Sequence, residues 1–138
     1  MKTFRIGGVH PNDSKISRNC AIEVLPLPQT VYISMAQHLG APAKPVVAVG
    51  DRVKTGQVIA EPGGFISAFG HSSVTGTVKS IGPRTDLAGN NMTHVEILVE
   101  PDEWAEGIDL SDTLVTEIPS DRQFILDRIK NNGVVGLG

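Results

Sequence analysis

Aromatic residues are scarce, at 4% of 138 positions. The core must therefore come from Val, Ile, Leu and Ala rather than from ring packing. Cysteine occurs once, as Cys20. A lone thiol forms no internal disulfide and cannot hold an iron–sulfur cluster, which takes about four thiolates, so we read Cys20 as a small semi-apolar residue. A reducing compartment is consistent with so little cysteine. No apolar run approaches the roughly 20 residues of a membrane-spanning helix. Met1-Lys2-Thr3-Phe4-Arg5 is not followed by the apolar stretch of a secretory signal, so membrane association is expected only through a partner. Basic residues number 12 against 15 acidic, for a net charge of −3, and form no stripe. This argues against nucleic-acid binding, which depends on neutralising phosphates.

What is plentiful is turn chemistry. The 15 glycines and 9 prolines, with 40% hydrophobic residues, suit a β protein with many tight turns. Residues 1–20 read as an extended arm. Residues 21–104 read as one β domain, with strands expected at 21–25, 31–34, 57–60, 65–68, 76–81 and 94–100. The last is the clearest, with Val95, Ile97 and Val99 on one face. Residues 105–119 read as an acidic linker. Residues 120–138 read as a helix and the start of a glycine-rich loop, with Ser120 as N-cap, Gln123 reaching back to it, and Gly133 as a left-handed C-terminal cap. Phe124, Ile125, Leu126 and Ile129 give that helix one apolar side.

Two segments share a logic. In Gly50-Asp51-Arg52-Val53-Lys54-Thr55-Gly56, a turn leaves one strand, Val53 anchors the loop in the core, and Gly56 admits a backbone angle that other residues resist. Ser73-Val74-Thr75-Gly76-Thr77-Val78 repeats the pattern. The pair resembles the two halves of a biotinyl/lipoyl-type barrel-sandwich hybrid. Such domains carry a cofactor on a lysine at the hairpin between the halves. Residues 55–78 contain no lysine, and the midpoint falls at Phe65-Ile66. An apolar pair forms no amide with biotin or lipoate, so a carrier role is excluded. A second reading of the hybrid motif, a sugar-phosphotransferase IIA domain, is disfavoured, because the strand ends in Glu100 where that family needs a nucleophilic histidine. His10, His38, His71 and His94 show no metal-ligand spacing, and Ser72 and Ser73 read as turn residues rather than nucleophiles. His71, at the hairpin corner, reads first as a turn histidine.

Several segments converge on one family. Gly7-Gly8-Val9-His10-Pro11, Ile22-Glu23-Val24-Leu25-Pro26-Leu27-Pro28, residues 37–47, residues 49–57 and residues 71–78 resemble, in order, the amino-terminal region of the C subunit of the Rnf electron transport complex. The A subunit of the sodium-pumping NADH:quinone reductase is similar in this region. The resemblance implies a parent that moves electrons between ferredoxin and NAD, coupled to ion transport. It further implies a peripheral position on the cytoplasmic side of the inner membrane, other Rnf subunits as partners, and possible contact with ferredoxin. It implies FMN, NADH and two 4Fe-4S clusters in the parent, and none of these in this chain. Gly136 and Gly138 would open the family's flavin and nicotinamide loop.

The expectation is a mostly β barrel-sandwich hybrid with an amino-terminal arm and a carboxy-terminal helix, without catalytic or metal-binding residues of its own. Its expected role is docking, with Phe65, Ile66, Phe69 and His71 as the candidate contact surface. The alternatives are that the 62–71 hairpin gates a cofactor or contacts ferredoxin, or that the chain is the matching domain of the sodium-pumping reductase.

Overall fold

The computed structural model describes residues 13–86 and 89–136. Seven strands precede one helix: β1 (Thr30–Ser34), β2 (Lys44–Pro45), β3 (Arg52–Val53), β4 (Val58–Glu61), β5 (Gly70–His71), β6 (Gly76–Thr85), β7 (Asn91–Val99) and α1 (Arg122–Asn131). They form a curled four-stranded sheet in the order β1-β7-β6-β3 and a three-stranded sheet in the order β2-β4-β5. All strand pairs within the sheets are antiparallel. This is the expected barrel-sandwich hybrid.

The core is aliphatic, as the shortage of aromatics requires. It joins Ile33, Met35, Val53, Ile59, Val74, Val78, Val95 and Ile97 with the smaller Ala43 and Ala60. Alternation along β7 places Val95 and Ile97 inward, both 0% exposed, and Val99 packs half-buried against them. Gly76 lies where β6 crosses β7. A β-carbon there would sit 2.0 Å from the Leu98 carbonyl oxygen, so only glycine fits.

The two similar sequence segments bond to each other. Gly50 N–H donates to Val78 O and Val78 N–H to Asp51 O, both at 2.8 Å. Gly56 N–H donates to Ser72 O and Ser72 N–H to Gln57 O, again at 2.8 Å. Gly50 and Gly56 have φ of +96° and +83°, the left-handed geometry that glycine adopts without steric cost. The two halves are thus stapled at both glycine turns, with Val53 buried between them.

Three local expectations are corrected. Residues 21–25 form no strand, and Ile22, Val24 and Leu25 are exposed. Pro26 and Pro28 remove backbone donors, and β7 stops at Val99, so an extension of β1 has no neighbour to pair with. Residues 65–68 are a bend and irregular chain rather than a strand. Gly63 N–H donates to the Ser67 hydroxyl at 3.0 Å, closing the loop on itself. Finally, α1 is capped by Asp121, not Ser120. The Asp121 carboxylate accepts from Phe124 N–H at 3.0 Å, and Gln123 turns outward to Asp127 at 2.8 Å instead of back to the cap. A carboxylate caps as well as a hydroxyl and adds a favourable interaction with the positive end of the helix. Residues 1–12 of the expected arm, and Leu87 and Ala88 of the turn between β6 and β7, lie outside the described residues.

Candidate functional site

The hairpin between β4 and β5 projects a tip that no described residue covers. Phe65 is 100% exposed and Ile66 65%. Beneath them the backbone is held firmly: Ala41 N–H donates to Ile66 O at 3.0 Å. The Cβ that Gly40 lacks would stand 2.2 Å from that same Ile66 oxygen. The residue 38–41 turn therefore packs directly under the tip and brings Leu39, 90% exposed, beside Phe65. His38 joins the two loops. Its Nε2 accepts from Ala68 N–H at 3.3 Å and its Nδ1 lies 2.9 Å from Leu39 O. The neutral ring protonated on Nδ1 satisfies both bonds.

The helix supplies the other wall. α1 ends in a left-handed turn at Gly133, φ +66°. Gly133 N–H donates to Lys130 O and Val134 N–H to Ile129 O, both at 3.1 Å, the paired bonds that close a helix carboxy-terminus. A β-carbon on Gly133 would meet Phe69 O at 2.6 Å and His71 Nδ1 at 3.2 Å. The hairpin corner is thus a seat for the helix cap. Next to it, Val135 lines a water-sized cavity with Met35, Ala43 and Ala68 of the barrel. Between tip and helix runs an open groove of about 590 Å³. Its walls are Leu39, Phe65 and Ile66 on one side and Leu126, Ile129 and Val134 on the other, with Asp127 and Lys130 also along it.

The four candidate surface residues therefore divide. Phe65 and Ile66 face the groove. Phe69 and His71 are half-buried and support the cap of α1. Gly136 lines the groove with open space where a side chain would be, and Gly138 lies outside the described residues. His38, Leu39, Leu126, Ile129 and Val134 also belong to the groove. Only the apolar spacing of α1 hinted at any of them, because a backbone hydrogen bond, not a sequence pattern, brings residue 39 to residue 65.

The other polar clusters hold the fold together. Arg52 donates to Glu100 and Glu103, each at 2.8 Å, and Lys54 to Glu103 at 2.6 Å. The buried Thr75 hydroxyl donates to Glu103 O at 2.7 Å and accepts from Glu103 N–H at 2.8 Å. Trp104 runs parallel to Thr55, bridged by Thr55 N–H to Glu103 O at 3.0 Å and Ala105 N–H to Thr55 O at 2.8 Å. This latch closes the segment after β7 over the barrel. It lowers the pKa of Glu100, chiefly through Arg52 and then Thr77, and that of Glu103, chiefly through Lys54 and then Arg52. Glu100, at the strand end where a phosphotransferase would need histidine, is thus a latch residue. On the outer face, Glu96 accepts from the Ser80 hydroxyl at 2.6 Å and Lys79 at 3.0 Å, lowering its own pKa and raising that of Lys79.

The described residues do not fit the redox groups of the implied parent. Cys20 is the sole thiol, too few for a cluster. The glycines after α1 follow a helix carboxy-terminus, whose partial charge repels phosphate. The nearby N–H groups of Asn132, Gly133 and Val134 are already bonded to helix carbonyls, so these three are not free to hold a phosphate.

The model of the RnfC barrel-sandwich hybrid domain matches residues 2–104. The chain belongs to this RnfC family. The match contains the hairpin tip, Leu39 and the latch, and stops before α1. Similarity to individual relatives extends further. The C subunit of the proton-translocating ferredoxin:NAD(+) oxidoreductase complex of Clostridium ljungdahlii is 40% identical over all of this chain and 30% of its own length. Its counterpart in the Na(+)-translocating complex of Acetobacterium woodii is 37% identical over 99% of this chain and 30% of its own. The C subunit of the ion-translocating oxidoreductase complex of Klebsiella pneumoniae is 32% identical over 96% and 17%. The RnfC-family chain thus spans less than a third of each of these relatives. Among its described residues, no helix is long and apolar enough to cross a membrane.

Proposed function

We propose that this RnfC-family domain is a non-catalytic docking element of the C subunit in an ion-translocating electron transport complex, and that the hairpin tip is its contact surface. The observation that carries this reading is the fully exposed Phe65 beside Ile66 and Leu39, over a backbone hydrogen-bonded to the residue 38–41 turn, facing an apolar groove. In a carrier domain the attachment lysine would stand at this tip. Here the same position presents an apolar surface, which gains free energy when covered. The relatives' names favour an Rnf-type complex over the sodium-pumping NADH:quinone reductase. Relatives named for proton and for sodium translocation match at 40% and 37% identity, so the matches favour neither ion. Cofactor chemistry, with FMN, NADH and 4Fe-4S clusters, belongs in this reading to the rest of the subunit. The domain sits peripherally on the cytoplasmic side, held by the other Rnf subunits.

Alanine substitution of the exposed Leu39, Phe65 and Ile66 in the intact complex tests the proposal. Loss of assembly supports docking. Normal assembly with impaired electron transfer would instead assign the 62–71 hairpin a gating or ferredoxin-contact role.

A further inference from the structure

We propose that His38 positions the docking surface and does so only as the neutral imidazole, so that acid loosens the hairpin tip and weakens docking. The effect on docking rests on the docking reading above. The surface is split between two loops: Phe65 and Ile66 stand on the hairpin loop, and Leu39 stands on the 38–41 turn. Hydrogen bonds at two places tie these loops together. Ala41 N–H donates to Ile66 O at 3.0 Å, a bond between backbone groups that do not titrate. The other tie is His38. Its Nε2 accepts from Ala68 N–H at 3.3 Å, and its Nδ1–H donates to Leu39 O at 2.9 Å. One ring thus holds the loop of Phe65 with one nitrogen and the backbone of Leu39 with the other. A patch fixed in place before contact loses less freedom on binding.

The bond at Nε2 exists in one protonation state only. An imidazolium carries a proton on both nitrogens and accepts no hydrogen bond. The bond to Leu39 O survives protonation, but Nε2–H then confronts Ala68 N–H, donor against donor. Ala68 is 5% exposed, so its amide has little access to a replacing water and the mismatch drives the loop away from the turn. Among the described residues that share a cavity with His38, only Asp127 and Lys130 of α1 are charged, one of each sign. Those contributed by β1, β5, residues 37–43, the tip and the chain after the helix are uncharged. Asp127 accepts from Gln123 at 2.8 Å, and the ring's bonds go to Ala68 and Leu39. Histidine is the residue type whose charge changes between about pH 5 and 8. The tie is therefore present at the alkaline end of that range and is lost as the ring takes up a proton.

Hydrogen exchange of the full-length RnfC polypeptide, at about pH 8 and about pH 5, tests this. The acid end stays above the range in which the latch releases. Each rate is corrected for the intrinsic pH dependence of amide exchange and read at Ala68, with buried Val95 and Ile97 as references. In wild type, Ala68 should lose protection about tenfold or more in acid, the effect of one lost buried hydrogen bond, while Val95 and Ile97 keep theirs. His38→Gln offers an amide oxygen that accepts without titrating, and its Ala68 protection should be the same at both pH values. Binding of each polypeptide to the complex that lacks it is measured in parallel. Wild type should lose affinity in acid by about threefold or more beyond His38→Gln, as when the competent fraction falls to about one third. Equal Ala68 protection at both pH values in wild type would overturn the inference and leave the docking reading standing. So would an equal loss in His38→Gln, or a parallel loss at Val95 and Ile97. A loss at Ala68 confined to wild type, with no difference in affinity, would instead overturn the docking reading and its regulation.

Discussion

Phe65 and Ile97 carry opposite expectations despite both being large and apolar. Ile97 is 0% exposed at the centre of the core, whereas Phe65 is 100% exposed. Ile97→Ala should cost the domain about 2–5 kcal/mol. Phe65→Ala should change stability by no more than about 0.5 kcal/mol, with urea unfolding as the measurement. The contrast would place any effect of Phe65 on assembly outside folding. Glycines divide in the same way. Gly76→Ala forces a β-carbon onto the Leu98 carbonyl between the two longest strands, and should destabilise the whole barrel by about 1–3 kcal/mol or more. Gly133→Ala meets Phe69 O and needs a left-handed backbone. It should leave the barrel's unfolding midpoint nearly unchanged while the amides of α1 lose protection in hydrogen exchange. Several of these positions are legible from sequence. The lysine-free interval pointed at Phe65-Ile66, and the repeated motif pointed at Gly56 and Val53. The roles of His38 and Leu39 are not, because their place beneath the tip depends on a hydrogen bond between distant parts of the chain.

Among the elements, the latch and the helix cap make distinct predictions. The carboxylates of Glu100 and Glu103 titrate below their ordinary value of 4.5. A group whose pKa is lowered by folding contributes stability above its unfolded pKa and loses it as pH falls through the folded one. The latch should therefore hold at neutral pH and release as pH drops below about 4.5. Trp104, the sole tryptophan, lies on the latch and should report that release by fluorescence. Arg52→Gln removes the leading cause of the Glu100 shift and a contributor to that of Glu103, so this acid-dependent change should flatten. In α1, Asp121→Ala should cost about 1 kcal/mol of local helix stability, whereas Ser120→Ala should cost little, read by exchange of the first-turn amides. The long strands and the helix were legible because their periodicity is long. The residue 21–25 segment misled because alternation alone does not supply a pairing neighbour. The cap shifted by one residue because Ser120 and Asp121 are both good caps and spacing cannot rank them.

For the whole molecule, shape and chemistry come apart. Two glycine turns staple the halves of the barrel, an aliphatic core fills it, and an apolar tip stands on the hairpin between β4 and β5, beside a helix with exposed apolar residues. The architecture was readable from the two motifs. The groove was not, since it forms only where α1 returns to the hairpin and its walls come from three separated stretches of sequence. The central claim is that Phe65 is a contact residue, and hydroxyl-radical footprinting of the intact complex tests it most directly. Phe65, fully exposed in the domain, is expected to be strongly protected from oxidation once the complex is assembled. Oxidation of Phe65 in the complex at the rate of a solvent-exposed phenylalanine would contradict that claim.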